Sequence, residues 1–534
     1  MSKTSRLLTI AVTGLALAVP QAQPDRQSVH PSTQSVLPAT PEPSPAEASY
    51  QELALDGPSV AAETKPFAMV GITWPEGTRP VVAKVRVQRD GQWTEWQPLV
   101  VEDEHGPDPA TPEGAERSGT EPLWVGDATG VQASAVTIGG STISDAKVVL
   151  IQPGVLTTDA DEPAAQSVEP EASGTPYPMP GIISRRGWGA DERLRSHNGK
   201  ACARPKYTTT VQAAFVHHTA DRNNYTRAQV PAMIRGMYAY HVKSRGWCDL
   251  GYNFLVDRFG RAFEGRYGGT YLPVLGAHTG AFNSNSFGVA LIGNFEKAAP
   301  TQAMLEKTAE VIAWKLDANY RSPMATIVLD GSRLYTISGH RDTKATACPG
   351  NQLYGKLGWL RQRIDTLIGG SVSTPIYRYA RKLGFDRTGQ PFWGEHPTRT
   401  GWATYFGIRD VFHSVATGTH STLGVFRNRY RGLGVDNTVL GLPLGEQRNG
   451  RVRGTAVQSF RYGALYWSRS TGARPVTGRI YHKYTSLGAE RSRLGLPITD
   501  MYKVKTGLRQ KYQRGWLTYN TRRNRVYVQY RSGS

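Results

Sequence analysis

The stretch "AAFVHHTAD", Ala213 to Asp221, ends an apolar run on two adjacent histidines. Four apolar residues followed by a His pair read as a strand covered on both faces, the kind found in a sheet with helices on either side. Consecutive side chains leave a strand on opposite faces, so His217 and His218 enter different surroundings and only one of them can serve a given site in that way. The neighbouring segments fit the same sheet. "YNFLVDRFGRAFEG" (252–265) reads as two strands folding at Asp257 to Gly260, and "FGVALIGNF" (287–295) is another continuous apolar run. "TRAQVPAMIRGMYAYHVKSRG" (226–246) and "TQAMLEKTAEVIAWKLDANY" (301–320) carry helical spacing, each opened by a threonine suited to an N-cap. Residues 182–369 are therefore expected to form an α/β domain with a mixed central sheet flanked by helices.

At 534 residues the chain exceeds what one hydrophobic core supports, and two composition breaks divide it. Residues 23–48 and 155–181, the latter including "TTDADEPAAQSVEPEASGTPYPMPG", are rich in Pro, Ala, Ser and Glu and read as linkers. Between them, residues 49–154 read as a β-rich module. The alternation in Val81 to Val87 and the Asp90-Gly91 turn suggest a hairpin in a sandwich-like sheet. Its Trp74, Trp93, Trp96 and Trp124 read as core aromatics before they read as a carbohydrate platform, and no cluster of titratable residues stands out. Residues 1–22 carry Lys3 and Arg6, an apolar run from Leu7 to Val19 and then Pro20-Gln21-Ala22, the pattern of a secretory signal peptide. That run is too short to span a bilayer comfortably, and no later segment resembles a transmembrane helix. The expectation is a secreted, cell-wall associated protein.

The net charge of +20 is concentrated at one end: residues 371–534 hold 28 Lys plus Arg against 7 Asp plus Glu. For an exported chain the partners of such a region are anionic wall or envelope polymers rather than nucleic acid. The same region repeats itself. "YRGLGVDNTVLGLP" (430–443) and "YTSLGAERSRLGLP" (484–497) match at an offset of 54, and a weaker copy begins at "YARKLGFDRTGQP" (379–391), giving about three units over 374–534. A fixed period means units that bury an apolar face against a neighbour. This part resembles the LGFP repeats of actinobacterial cell-wall proteins, which implies a wall-anchoring task.

"GHRDTKATACPG" (339–350) places His340 eight residues before Cys348 on a Gly- and Pro-bounded loop. Imidazole and thiolate are both zinc ligands, and a third from the His-His pair would complete the three-ligand set of a catalytic zinc. An isolated His or Cys is more often structural, so this spacing alone is a weak signal. Three cysteines, Cys202, Cys248 and Cys348, suggest one disulfide and one thiol with another role.

Five ordered motifs, "IISRRGWGA" (182–190), "FVHHTA" (215–220), "CDLGYNFLVDRFGRAFEGR" (248–266), "GAHTGAFNSNSFGVALIGNF" (276–295) and "GHRDTKATACPG", make residues 182–369 resemble peptidoglycan recognition proteins and type 2 N-acetylmuramoyl-L-alanine amidases. The resemblance implies zinc held by His217, His340 and Cys348, with Tyr252 and Thr346 as catalytic residues. It also implies a substrate groove in which His278 has a place. His241, Asn283 and Arg266 are further groove candidates, Arg266 for a peptide carboxylate, although a structural role for either His241 or His278 and a surface ion pair for Arg266 are equally open. Family members without the Cys bind peptidoglycan and do not cleave it, so Cys348 implies an enzyme that hydrolyses the amide between the lactyl group of N-acetylmuramic acid and L-Ala. With Cys348 taken as the zinc ligand the resemblance implies, Cys202 and Cys248 are the pair left for a disulfide. His218 is expected to face away from the metal and to serve packing. The rival expectations are a non-catalytic peptidoglycan receptor and a structural envelope protein.

Overall fold

The computed structural model describes residues 48–531 apart from 79, 102–104, 109–110, 112, 114–116, 161–164, 167–173, 200 and 371–372. The expected signal peptide (1–22), nearly all of the first linker and part of the second lie outside the described residues.

Residues 49–152 build one continuous eight-stranded antiparallel sheet, in which the long strands Ser59–Pro75 and Leu123–Thr137 run side by side. The expected hairpin is present: Asp90 and Gly91 both have positive φ, and Arg89 pairs with Gln92. Alternation along the strands explains their unbroken apolar runs. Val70, Ile72, Trp74, Ala133, Val148 and Leu150 face the module's own core. Met69, Val149 and Ile151, on the opposite face, join Trp124 in a second core shared with Trp188, Met233, Met237 and Tyr240 of the next domain. Trp74 and Trp124 are thus core aromatics, as expected, whereas Trp93 and Trp96 are exposed beneath Arg86 and Lys84.

The second domain is built on a seven-stranded mixed sheet, whose strands in chain order are β1 (Ala165–Gln166), β2 (Ile182–Ile183), β3 (Ala213–His218), β4 (Phe254–Val256), β5 (Ala262–Glu264), β6 (Ser286–Leu291) and β7 (Ile337–Gly339). Their spatial order is β7-β3-β6-β4-β5-β2-β1, with β3 parallel to both of its neighbours. Every residue of β3 and β6 is buried, which is what their unalternating apolar sequences require. Helix α1 (Val230–Ala239) and helix α2 (Gln302–Asp317) fall where the spacing places them, and Thr301 caps α2 by accepting from the Met304 N–H at 3.2 Å.

Helix α1 is buried on nearly all sides, from Val230 to Tyr238, because it is held between this sheet and the N-terminal module. The contact is close: a Cβ on Gly71 would stand 2.6 Å from the Tyr240 ring, and the Tyr240 hydroxyl donates to Thr120 O at 2.8 Å. Arg235 of α1 donates to both Asp159 oxygens (2.8 and 2.6 Å), to Trp188 O (3.0 Å) and to Gly154 O (2.9 Å). Part of the stretch read as a linker is therefore built into the fold. Leu156 and Asp159 are buried, and β1 adds an antiparallel edge to β2. Composition alone does not reveal this, because the acidic residue that matters is neutralised by an arginine far along the chain.

The C-terminal region holds three four-stranded antiparallel sheets, within 391–423, 448–477 and 502–530. The helices Gly424–Leu433 and Gly478–Ser486 each pack into a core that joins one sheet to the next. The repeat is visible in single bonds. Tyr430 donates to Gly441 O at 2.7 Å and Tyr484 to Gly495 O at 2.8 Å, with both glycines at nearly the same positive φ. The first unit rests on the α/β domain, where the Glu395 N–H donates to Ala318 O (2.7 Å) and the Tyr320 hydroxyl donates to Glu395 (2.7 Å). Among the described residues no helix is long and apolar enough to cross a membrane.

Candidate active site

His217 is the penultimate residue of β3, and β7 lies beside it with Val216 opposite Gly339, so His340, the next residue after β7, emerges at the same sheet edge. The loop that follows returns Cys348, whose carbonyl accepts from the Arg341 N–H at 3.0 Å and whose N–H is held by the Thr346 hydroxyl at 3.0 Å. Cys348 Sγ then lies 3.7 Å from His217 Nδ1. A fourth side chain completes the group: His105, from the N-terminal module, has Nε2 3.1 Å from His217 Nδ1 and its ring stacked on His340 at 4.3 Å. One ligand atom from each of His105, His217, His340 and Cys348 lies within 4.8 Å of all the others, and all four residues are buried. Two nitrogens on a tetrahedral zinc are about 3.4 Å apart and a nitrogen and a sulfur about 3.5 Å, from bond lengths of ~2.0–2.1 and ~2.3 Å. The observed spacings bracket those values.

The polar balance supports a metal as well. Neither ring nitrogen of His340 has a hydrogen-bond partner among the described residues, although the residue is fully buried. A buried imidazole without partners loses on the order of 1–3 kcal/mol per orphaned group, which a coordinated cation reverses. Burial first, then the neighbouring histidines, hold His217 and His340 well below the ordinary imidazole pKa, so both are neutral with a lone pair to give. His217 Nε2 meets His278 Nδ1 at 3.1 Å, an outer contact that orients the ring. His218 faces the other way and accepts from the Phe295 N–H at 3.3 Å.

Tyr252 stands beside the group, its hydroxyl 3.3 Å from His105 Nδ1 and its ring 5.4 Å from that of His217. His241 lies beside it, packed against Trp247 with ring centroids 4.4 Å apart and the planes tilted by 31°, and accepts from the Gly251 N–H at 3.2 Å, so it props the turn that carries Tyr252. Asn283 accepts from the His278 and Thr279 N–H groups and donates to Gly106 O at 2.9 Å. Arg266 is an ion-pair residue, but not at the surface. It is buried against Glu113, whose carboxylate also accepts from the Cys248 N–H at 3.0 Å. Cys202 and Cys248 form a disulfide, and Cys348 is the free thiol.

Three residues here carry no signal in the sequence: His105, Glu113 and Glu121, the last of which holds His105 Nδ1 at 2.7 Å. They sit in "HGPDPATPEGAERSGTE", a Pro- and Gly-rich stretch of a module with no recognisable spacing of ligands. Only the docking of two domains brings them to the site.

Comparison with known proteins assigns each region. Residues 24–172 match the Rv3811 N-terminal galactose-binding domain-like family, residues 207–351 the N-acetylmuramoyl-L-alanine amidase family, and residues 440–492 the LGFP repeat. The chain is 33% identical to peptidoglycan recognition protein 1 of Bos taurus over 174 residues, 32% of this chain and 80% of that one. It is 32% identical to peptidoglycan-recognition protein SC2 of Drosophila melanogaster over 176 residues, 33% and 84% of the two chains. A solved structure of peptidoglycan recognition protein-LE with tracheal cytotoxin aligns at 31% identity and a TM-score of 0.28, covering 33% of this chain and 92% of that one. The chain belongs to the peptidoglycan recognition protein family, through an N-acetylmuramoyl-L-alanine amidase domain followed by LGFP repeats.

Proposed function

We propose that this protein is an exported, zinc-dependent N-acetylmuramoyl-L-alanine amidase, which cleaves the amide between the lactyl group of N-acetylmuramic acid and the L-Ala of the stem peptide. The observation that carries the reading is the convergence of His217, His340 and Cys348, with neither His340 ring nitrogen hydrogen-bonded among the described residues, beside Tyr252. These three ligands would hold the metal. Bound there, zinc supplies Lewis-acid activation of water and of the scissile carbonyl.

The rest is done by side chains of this chain. His217, donating its Nε2 proton to His278, keeps the Nδ1 lone pair directed at the metal position. The His218 N–H, 3.5 Å from Cys348 Sγ, favours the thiolate form of the cysteine. Tyr252 donates its hydroxyl proton as a hydrogen bond to the oxyanion of the tetrahedral state, and Thr346, anchored by the Cys348 N–H, supplies a second hydroxyl. Asn283 and Arg266 bind the stem peptide through a carbonyl and a carboxylate. The basic repeats, with 28 cationic against 7 anionic residues from 371 onward, hold the enzyme on anionic wall polymers.

The test is digestion of purified peptidoglycan by the zinc-loaded full chain and by Cys348→Ala, with mass identification of products. Stem peptides with free L-Ala amino termini should come from the first and not from the second. If the wall is bound but no such peptide appears, even after His105 is replaced by Ala, the receptor reading replaces the enzyme.

A further inference from the structure

We propose that the N-terminal module holds this active site latent: His105 fills the coordination position that a catalytic zinc keeps open, while Gly106 and Glu113 occupy the groove where substrate binds. The inference rests on the zinc-amidase reading above. A catalytic zinc has three protein ligands and one exchangeable position, whereas four protein ligands make a closed, structural-type site. With His105 the group at the sheet edge is three nitrogens and one sulfur, a complete tetrahedral set.

His105 is oriented for that task. Its Nδ1 is bonded to the Glu121 carboxylate at 2.7 Å, which leaves Nε2 as the donor atom turned toward His217, His340 and Cys348. A carboxylate behind an imidazole is the usual outer support of a metal-bound histidine, and both groups are buried here, at 6% and 4% exposure. The Tyr252 hydroxyl is drawn to His105 as well, at 3.3 Å, so the residue assigned to the oxyanion is engaged by the cap.

The groove is taken by chemistry of the kind a stem peptide offers. Gly106 O accepts from Asn283 Nδ2 at 2.9 Å and from the Gly280 N–H at 3.2 Å, as a peptide carbonyl would. The Glu113 carboxylate pairs with Arg266 and accepts from the Cys248 N–H at 3.0 Å, as a peptide carboxylate would. These contacts are polar and can be exchanged for those of a substrate. The seat of the module is separate from them, an apolar core around Met69, Met237 and Tyr240. Opening the site therefore requires withdrawal of His105, Gly106 and Glu113 without undocking the sheet.

The test uses the full chain loaded with cobalt(II), read by visible d–d absorption and X-ray absorption. Wild type should show three nitrogen and one sulfur ligands and need about tenfold more azide than the uncapped variant for any response. His105→Ala should lose one nitrogen from the protein, and azide should shift its band. On wall fragments a cap closed nine-tenths of the time suppresses turnover about tenfold, so His105→Ala should cleave at least about that much faster. Glu113→Gln should bind a soluble muramyl peptide more tightly with an unchanged cobalt spectrum. If His105→Ala does not fold, Glu121→Gln gives the same comparison by loosening the His105 ring. An azide response in wild type equal to that of the variant, as expected if His105 only hydrogen-bonds His217, overturns the proposal. If no form cleaves, the amidase reading fails, while the cobalt spectra still decide whether His105 caps the metal.

Discussion

Replacing Arg235 with Met tests whether the N-terminal module and the α/β domain share one stable interface. Arg235 and Asp159 are each 6% exposed, and the guanidinium reaches both carboxylate oxygens as well as the carbonyls of Trp188 and Gly154. Methionine fills similar space but leaves the Asp159 carboxylate buried, with only the Leu156 N–H among the described residues still donating to it. Breaking a buried pair in this way costs about 3–5 kcal/mol, most of it from the stranded charge. The loss should appear as a drop of that size in the opening free energy of α1 amides measured by native-state hydrogen exchange, a local readout suited to a chain of several domains. Adding Asp159→Asn to Arg235→Met should recover about half or more of it, since the stranded charge is then gone. A loss under about 1 kcal/mol, or no recovery in the double variant, would refute the argument that this pair clamps the two domains.

Two further outcomes follow from the junctions and the tail. Burial lifts the Glu395 carboxyl from 4.5 to about 8, against the pull of the Thr374 and Tyr320 hydroxyls that donate to it. The folded state therefore binds more protons than the unfolded state between those values, and stability falls as pH rises through that window, by up to a few kcal/mol. Thermal melts at pH 5 and pH 9 should diverge for wild type and stay closer for Glu395→Gln; parallel pH dependence in the two proteins would remove Glu395 as the cause. In the last sheet Arg522, Arg523 and Arg525 are exposed, and no Asp or Glu follows Asp500. Changing all three to Gln should weaken wall binding at low salt on the order of tenfold and leave binding at 1 M salt unchanged. Equal weakening at both salt concentrations would mean that their charge is not what binds.

Much of the α/β domain was legible because its signals are local. An unalternating strand, a Thr at a helix start and a Cys eight residues after a His each announce themselves within a dozen positions. The unit length of the tail was legible for the same reason, and the bond from Tyr430 to Gly441 O recurs from Tyr484 to Gly495 O. What stayed hidden depends on partners far apart in sequence. Asp159 reads as one acidic residue of a linker until Arg235 meets it, and His105 as one residue of a Pro-rich loop until the sheet docks on α1. Arg266 could be placed near a carboxylate, but not the carboxylate it holds, since Glu113 belongs to another module.

Helix α1 offers no face to water, with Met233 and Met237 turned to the same core as Met69 and Ile151 of the preceding module. A gene fragment beginning at residue 182 would thus encode an amidase-family domain with a greasy scar, prone to self-association, and a usable excision has to start near residue 49. The same fact offers a ruler for other genomes: an amidase-family domain whose corresponding helix is apolar on every side but for a lone arginine like Arg235 should carry a companion sheet upstream, and one whose helix keeps a charged stripe should travel alone.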